Sequence, residues 1–499
     1  MLMLSKSKLM TYRQCAKRLW LEVHRPELRQ ESEATRASFT LGHQVGALAQ
    51  RLYDPGRKGA VIDVGQEGYK GAFARTHELL QSSAPIFEAG FQAQGALAFA
   101  DVMLPVGRGR TRGWRMIEVK SSGEVKPYHR DDAAVQAFLA KACGVPLAAI
   151  AVAHIDSKWV YPGDGEYTGL LVEHDLTDEA FARVDEVTGW IAGAQEVVAR
   201  KTAPRIAVGK QCNQPYACGF QEHCQSRTTP ASQPIAWLPG KLGKVLETTI
   251  AAQGLTELRD VPDELLNARQ LRVKQVTVSG QTYFDRRGAA RALASYSLPA
   301  YFIDFETTQF GVPVWAGTRP YQQVPFQFSV HRLGRTGKLE HHEFLDLSGD
   351  DPSYAFAQAL LAACGERGPI YVYHAAFETG RISELAARFS QLAVQLQALN
   401  QRVVDLLPIA REHYYHPGQK GSWSIKSMLP ALCPDLRYDD LDGVQDGGMA
   451  MTAYAEAVAP DTTAERKAIL RTQLLAYCKL DTYAMVRLWA AFSGTTLEV

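Results

Sequence analysis

Apolar positions recur at helical spacing through Leu9, Tyr12, Leu19 and Trp20, which predicts helix over residues 5–52. Asp54-Pro55-Gly56 then breaks the chain as a turn. Beyond it the pattern changes to short apolar runs. Strands are predicted at 85–88, 98–104 and 114–120, with residues 107–113 as a basic hairpin tip between the last two. Residues 131–142 read as a helix, 147–154 as an apolar strand and 176–200 as a helix. Three strands, a helix and a further strand predict an α/β core.

Residues 226–233 are a polar linker by composition, and 241–294 are mostly helical with breaks at Gly254 and Pro262. A second α/β block opens at Pro299. Its predicted strands are 300–306, 325–333, 341–347 and 369–373, and its predicted helices are 354–364, 379–389 and 464–491. The expected division is 1–226, a helical connector at 227–297, and 298–499.

Composition adds limits. A chain of 499 residues with 46% hydrophobic positions is long enough for more than one core. A net charge of +1 excludes a grossly basic or acidic protein, yet a local patch suffices for nucleic acid. The first 58 residues hold eleven Lys/Arg against five acids, which suits either phosphate contacts or a solvated helix face. Eight cysteines do not make a disulfide framework in a chain of this length. Cys143, Cys364, Cys433 and Cys478 lie in apolar surroundings and read as core fillers. No secretory leader and no apolar run of about 20 residues is apparent. The expectation is a cytoplasmic protein with no membrane partner.

Two constellations carry chemistry. Glu118 and Lys120 are two apart on a predicted strand and share a face; Asp101 on the preceding strand can meet them across the sheet. A carboxylate pair holding a divalent cation beside an ammonium suits phosphodiester hydrolysis, although E-x-K alone also describes a solvated strand. In the second block, Asp304 and Glu306 share a strand face, Glu378 lies at a strand-to-helix junction, and Tyr477 and Asp481 are four apart on the last helix. Four such carboxylates can hold two metals about 4 Å apart, with Tyr477 orienting the attacking water. Asp405 is an alternative ligand or a structural strand end. Lys426 is a candidate phosphate contact, and Trp423 is either a base-stacking platform or core. Cys15, then Cys212, Cys218 and Cys224 in C-x5-C-x5-C spacing, suit one metal site that ties the two ends of a domain together. The close C-x2–4-C pairs of structural zinc are absent and iron–sulfur clusters accept wider spacings, but zinc stays open as the alternative.

Glu88, Asp101, the Glu118-Val119-Lys120 triplet, Lys126, Tyr128, Asp132 and Gln136, bracketed by these cysteines, resemble the RecB-like members of the PD-(D/E)XK nuclease superfamily. The likeness is to the CRISPR-associated exonucleases that carry a four-iron–four-sulfur (4Fe-4S) cluster, and it covers about 4–224. It implies Mg²⁺ or Mn²⁺ on Asp101 and Glu118, with Glu88 a further acidic position, a catalytic Lys120, an assisting Gln136, and a cluster on Cys15, Cys212, Cys218 and Cys224. His43 is the nearby candidate for a histidine that the family places in its first helical region. Residues 299–493 resemble the tyrosine-bearing DEDD exonucleases of RNase H-like fold. Asp304, Glu306, Tyr477 and Asp481 fit the first and third motifs of that superfamily; His374 and Glu378 stand where a common form has asparagine and aspartate. The order of the blocks resembles an uncharacterised bacterial and archaeal fusion family. The resemblances imply a two-nuclease protein: a first domain that hydrolyses DNA, single-stranded or at ends, and a second that trims nucleic acid from a 3′ end, with RNA as the other polymer. A nucleic-acid-binding or assembly protein with one or both sites inactive is the competing expectation, and oligomeric state is not indicated.

Overall fold

Ser5 begins the first helix by accepting a hydrogen bond from the Lys8 N–H at 3.3 Å. The helix α1 (Lys6–Gln14) stops at Cys15, whose backbone is extended (φ −164, ψ 118), and α2 (Ala16–His24) restarts at once. After Pro26 the chain resumes as α3 (Glu33–Tyr53). The helix expected over 5–52 is therefore three helices, and the first break presents Cys15. In this computed structural model the described residues are 2–30, 33–107, 112–226 and 231–497. The tip expected at 107–113 and the linker at 226–233 lie largely outside them.

The chain is mixed α/β and divides into two units, Met1–Thr229 with Phe310–Gln322, and Pro230–Gln309 with Gln323–Val499. In the first unit, β1 (Leu4–Ser5), β2 (Ala60–Val61), β3 (Ile86–Ala93), β4 (Ala96–Val106), β5 (Gly113–Lys120), β6 (Leu147–Ile155) and β7 (Leu171–Asp175) form one sheet in the order β2-β3-β4-β5-β6-β7, with β1 on β4. The pairs β3–β4 and β4–β5 are antiparallel, and β5–β6 is parallel. A parallel pair needs a crossover. Here a helix supplies it: after α4 (Val64–Leu79), which sequence reading missed, comes α5 (Pro127–Ala142). It begins four residues earlier than expected because Pro127 occupies its first turn, where its missing N–H costs no bond. Nearly the whole of α5 from Asp132 to Ala140 is buried against the sheet. The expected helix 176–200 is two, α6 (Thr177–Ala182) and α7 (Val184–Ala199), parted at Arg183. The last helix of the unit is α8 (Gln221–Gln225).

The second unit opens with α9 (Lys244–Gln253), α10 (Ala268–Ser279) and α11 (Arg286–Leu293). Gly254 ends α9 in the left-handed region (φ +62), as the expected break there requires. Val273, Val276, Ala289 and Leu293 join the same core as Phe302, Trp489 and Phe492. Residues 268–293 are thus part of the second unit's core and not a separate connector, while Ile235, Leu246 and Leu258 form a smaller cluster.

Strand β8 (Tyr283–Phe284) pairs with β14 (Tyr414–Tyr415). The main sheet contains β9 (Ala300–Thr308), β10 (Val324–Leu333), β11 (Leu339–Leu345), β12 (Ile370–Val372) and β13 (Val403–Asp405) in the order β11-β10-β9-β12-β13. The first three are antiparallel, whereas β12 and β13 run parallel to β9. The helices α12 (Ser353–Cys364), α13 (Ala376–Arg388), α14 (Ala393–Asn400), α15 (Leu406–His413), α16 (Ile425–Leu432), α17 (Gly447–Ala457) and α18 (Ala464–Ser493) complete the unit. Of these, α17 and α18 pack on β9. Among the described residues, no helix is long and apolar enough to cross a membrane.

Candidate functional site

In the first unit, Glu118 is 1% exposed, an expensive place for a charge. Two ammonium groups offset that cost. The Lys6 Nζ lies 2.7 Å and the Lys120 Nζ 2.5 Å from Glu118 Oε1. The same two lysines pair with Asp132, Lys6 at 3.2 Å from Oδ1 and Lys120 on Oδ2. The Gln136 side-chain N–H₂ donates to Glu118 Oε2. Asp132 and Gln136 are four apart on α5 and so share its sheet-facing side. Burial alone raises the Glu118 carboxyl; Lys120 and Lys6 outweigh it and hold the group well below the usual carboxylate range.

Asp101 and Glu88 belong to the same neighbourhood. Burial, then the Glu118 charge, raises both carboxyls, that of Asp101 strongly. One Asp101 oxygen accepts the Val119 N–H at 2.6 Å, so Asp101 also fixes the β5 backbone between Glu118 and Lys120. Glu88 has φ +59, rare for a side chain with a Cβ, while the β3–β4 register is the same on either side of it. His129 is nearly buried, and its pKa is pushed down to about 3 by burial and by Lys120. His43 lies exposed on α3. Sequence reasoning gave no role to Lys6 or Asp132. The i, i+4 spacing of Asp132 and Gln136 was a usable signal, whereas nothing local marks Lys6.

Cys15, Cys212, Cys218 and Cys224 line one crevice with Leu21, Ile206 and Phe220. All four are free, and Cys212 is buried. The Cys218 N–H donates to the Cys212 carbonyl at 2.8 Å, and the Cys224 N–H to the Phe220 carbonyl at 3.0 Å. Burial pushes the Cys218 thiol up, with Cys212 and Cys15 nearby adding to it. Of the expected core fillers, Cys364, Cys433 and Cys478 are buried; Cys143 is exposed, at the C-terminal end of α5.

In the second unit, Asp304, Glu306, Tyr477 and Asp481 line a cavity of about 430 Å³ together with Lys426. The alternation of β9 sets the first two, and α18 supplies the others. The acidic groups repel one another where water is scarce. Glu306 is pushed up to about 8 by burial and by Asp481. Asp304 is raised well above the usual range by burial, then by Asp481, Glu306 and Glu378. Asp481 rises to about 6; burial raises it, while hydrogen bonding from Tyr438 and the Lys426 charge hold it back. The Lys426 Nζ donates to the Gln445 carbonyl at 2.6 Å and stands 5.0 Å above the rings of both Tyr438 and Tyr477. Lys426 is thus the cation that faces this cavity.

Glu378 sits in the first turn of α13, 2% exposed, and is not among the residues that line the cavity. Its Oε2 has no hydrogen-bond partner, and burial pushes it up to about 8. Asp405 is a capping residue: its carboxylate accepts from the N–H groups of His374 (2.9 Å), Ala375 (3.0 Å) and Leu407 (2.9 Å). It fixes the junction that carries Glu378 and has His374 at φ +83. Trp423 is core, 5% exposed, with its indole N–H on the Tyr414 carbonyl at 2.8 Å. Two residues were missed. Tyr438, from a short turn far from the motifs, donates its O–H to Asp481 Oδ1. Cys478, read as filler, has its Sγ in a group with oxygens of Asp304 and Glu306, all within 4.8 Å of one another.

Residues 301–424 match the family described as "Domain of unknown function (DUF2779)". That stretch contains Asp304, Glu306 and Glu378 and ends before Tyr477 and Asp481. No curated protein matches the chain.

Proposed function

We propose that the protein is a metal-dependent nuclease with two separate sites: a RecB-like PD-(D/E)XK site in the first unit and a DEDD-type, RNase H-like 3′–5′ exonuclease site in the second. The observation that carries the reading is the gathering of Asp304, Glu306 and Asp481 around one cavity, with Glu378, its buried Oε2 unpartnered, close enough for its charge to act on Asp304. Carboxylates held this close raise one another's pKa unless a cation is added, which is what a divalent-metal site requires. The sheet order, with β9 central and β10 antiparallel to it, suits an RNase H-like unit. The antiparallel β3–β4–β5 meander followed by the α5 crossover to β6 suits the first assignment.

Mg²⁺ or Mn²⁺ bound at these carboxylates supplies charge neutralisation at phosphorus and an activated water. Asp304, Glu306 and Asp481 would hold it in the second unit, and Asp101 and Glu118, with Glu88, in the first. Lys120 and Lys6 meanwhile keep Glu118 ionised and offer two ammonium groups to a phosphate. Tyr477 and Tyr438 orient Asp481 by donating hydrogen bonds to it. The substrate class is DNA, single-stranded or at ends, with RNA as the other polymer to be tested. Repair, recombination and defence are the settings that such chemistry serves.

The four cysteines fit a 4Fe-4S cluster. They converge on one crevice, and their C-x5-C-x5-C spacing lacks the close pairs of structural zinc. When bound, the cluster supplies a structural tie between α2 and the 212–224 segment. Cys218→Ala is therefore expected to lose iron and solubility together. An iron-free variant that stays folded and active contradicts the assignment.

A second reading, a nucleic-acid-binding protein with inactive sites, draws support from Glu378, which is not among the residues that line the cavity. Single-stranded DNA and RNA, labelled at each end, should be digested with Mn²⁺ or Mg²⁺ by wild type, Lys120→Ala and Asp304→Ala. Two activities, each lost in one variant, are expected. Bound metal without cleavage of either polymer favours the second reading.

A further inference from the structure

We propose that the Asp304–Glu306 site is a mixed carboxylate–thiol site in which Cys478 selects a thiophilic divalent cation, such as zinc, cobalt or cadmium, over magnesium. This rests on the metal-dependent reading of that site and goes beyond it by naming an unexpected ligand and the class of ion it prefers.

Helix geometry places the thiol there. Cys478 is three residues before Asp481, so the two share a face of α18. That face meets β9, whose alternation brings Asp304 and Glu306 to it. One ligand atom from each of Asp304, Glu306 and Cys478 lies within 4.8 Å of the others, and Cys478 is fully buried. The thiol donates a long hydrogen bond, 3.6 Å, to the Asp304 carbonyl, and the Ser329 backbone also hydrogen-bonds to its sulfur. A thiol is a weak donor, so the bond to Asp304 holds it loosely. Glu378 is close enough for its charge to act on Asp304, and its buried Oε2 has no hydrogen-bond partner.

A cysteine that only fills space would be replaced by alanine without effect on the acids. Here it stands among them. On binding, a sulfur–metal bond forms, the S–H bond breaks and the proton leaves to solvent; no electrons are transferred. Zinc, cobalt and cadmium favour sulfur strongly enough to displace that proton, whereas hard magnesium binds through oxygen alone.

The test uses the full chain with its other cysteines in place. Bound Mn²⁺ is read by electron paramagnetic resonance, and Cd²⁺ or Mg²⁺ is titrated as competitor in wild type, Cys478→Ala, Cys478→Ser and Asp304→Asn. The expected result is that Cd²⁺ competes about tenfold less well in both Cys478 variants, with Mg²⁺ unchanged. A wild-type-minus-variant difference spectrum should also show thiolate-to-cadmium absorption in the near ultraviolet, since the other cysteines cancel. If Cys478→Ala fails to fold, Cys478→Ser carries the same comparison. Equal competition by Cd²⁺ in wild type and variants, with no difference absorption, overturns the thiol's role but leaves the metal site standing. A number of bound Mn²⁺ ions per chain that Asp304→Asn does not lower overturns both.

Discussion

Glu118→Gln is expected to reduce cleavage by the first unit about a thousandfold while leaving the second unit's activity unchanged. Glutamine keeps the shape and removes the charge at the point where Lys6, Lys120 and Gln136 converge. The amide cannot ligate a divalent cation as a carboxylate does. It also leaves two ammonium groups sharing Asp132 alone. Removing one partner of a buried ion pair costs about 3–5 kcal/mol, and the lysines retain 20–21% exposure, so about 3 kcal/mol is the expected loss. Denaturant unfolding measures that loss, and end-labelled cleavage measures the activity. A variant that is destabilised but still cleaves would mean that Glu118 is a structural counter-ion and that Asp101 and Glu88 carry the chemistry.

The two sites differ in how far the sequence revealed them. Glu118 with Lys120, and Asp304 with Glu306, were legible because a strand's period of two puts such pairs on one face whatever the fold around them. Tyr477 and Asp481 were legible for the matching helical reason. What was missed depends on long-range approach. Lys6 reaches Glu118 only because β1 pairs with β4, and Ser5 then starts α1 with Lys6 in its first turn. Tyr438 reaches Asp481 from a turn that has no periodicity to read. Cys478 was taken for filler because Leu474, Leu475 and Leu480 surround it on α18, although Asp481 three residues on shares its face. Asp405 could not be assigned from sequence, since an acid at a strand end serves equally as cap or ligand; three backbone N–H groups decide for the cap. The connector shows the same limit at larger scale: its helices are legible, but which core they join is not.

Between pH 6.5 and 8, the metal-free second unit is expected to lose stability as pH rises, and divalent metal is expected to reverse the trend. Glu306 and Glu378 have folded pKa values of about 8 against an ordinary 4.5. The folded state therefore binds more protons than the unfolded chain above pH 4.5. The stabilisation is complete below about 4.5 and is lost as pH passes through 8. Each residue should contribute about 1.5 kcal/mol across the 6.5–8 window. Asp481, at about 6, contributes mostly below it. His331 and His341 act in the opposite sense: burial lowers them to about 3 and about 4, so they add stability as pH rises, mostly below 6.5 and only about 0.4 kcal/mol each above it. The carboxylates thus dominate the chosen window. A bound cation takes over the role of the protons, so its affinity should rise with pH and its thermal shift should be larger at pH 8 than at 6.5. Thermal unfolding of chelator-treated and Mn²⁺-loaded protein at several pH values, with Glu306→Gln beside wild type, measures this. The variant should flatten the metal-free slope. A slope that Glu306→Gln leaves untouched would mean that Glu306 is ionised without metal, with Lys426 alone neutralising the cavity.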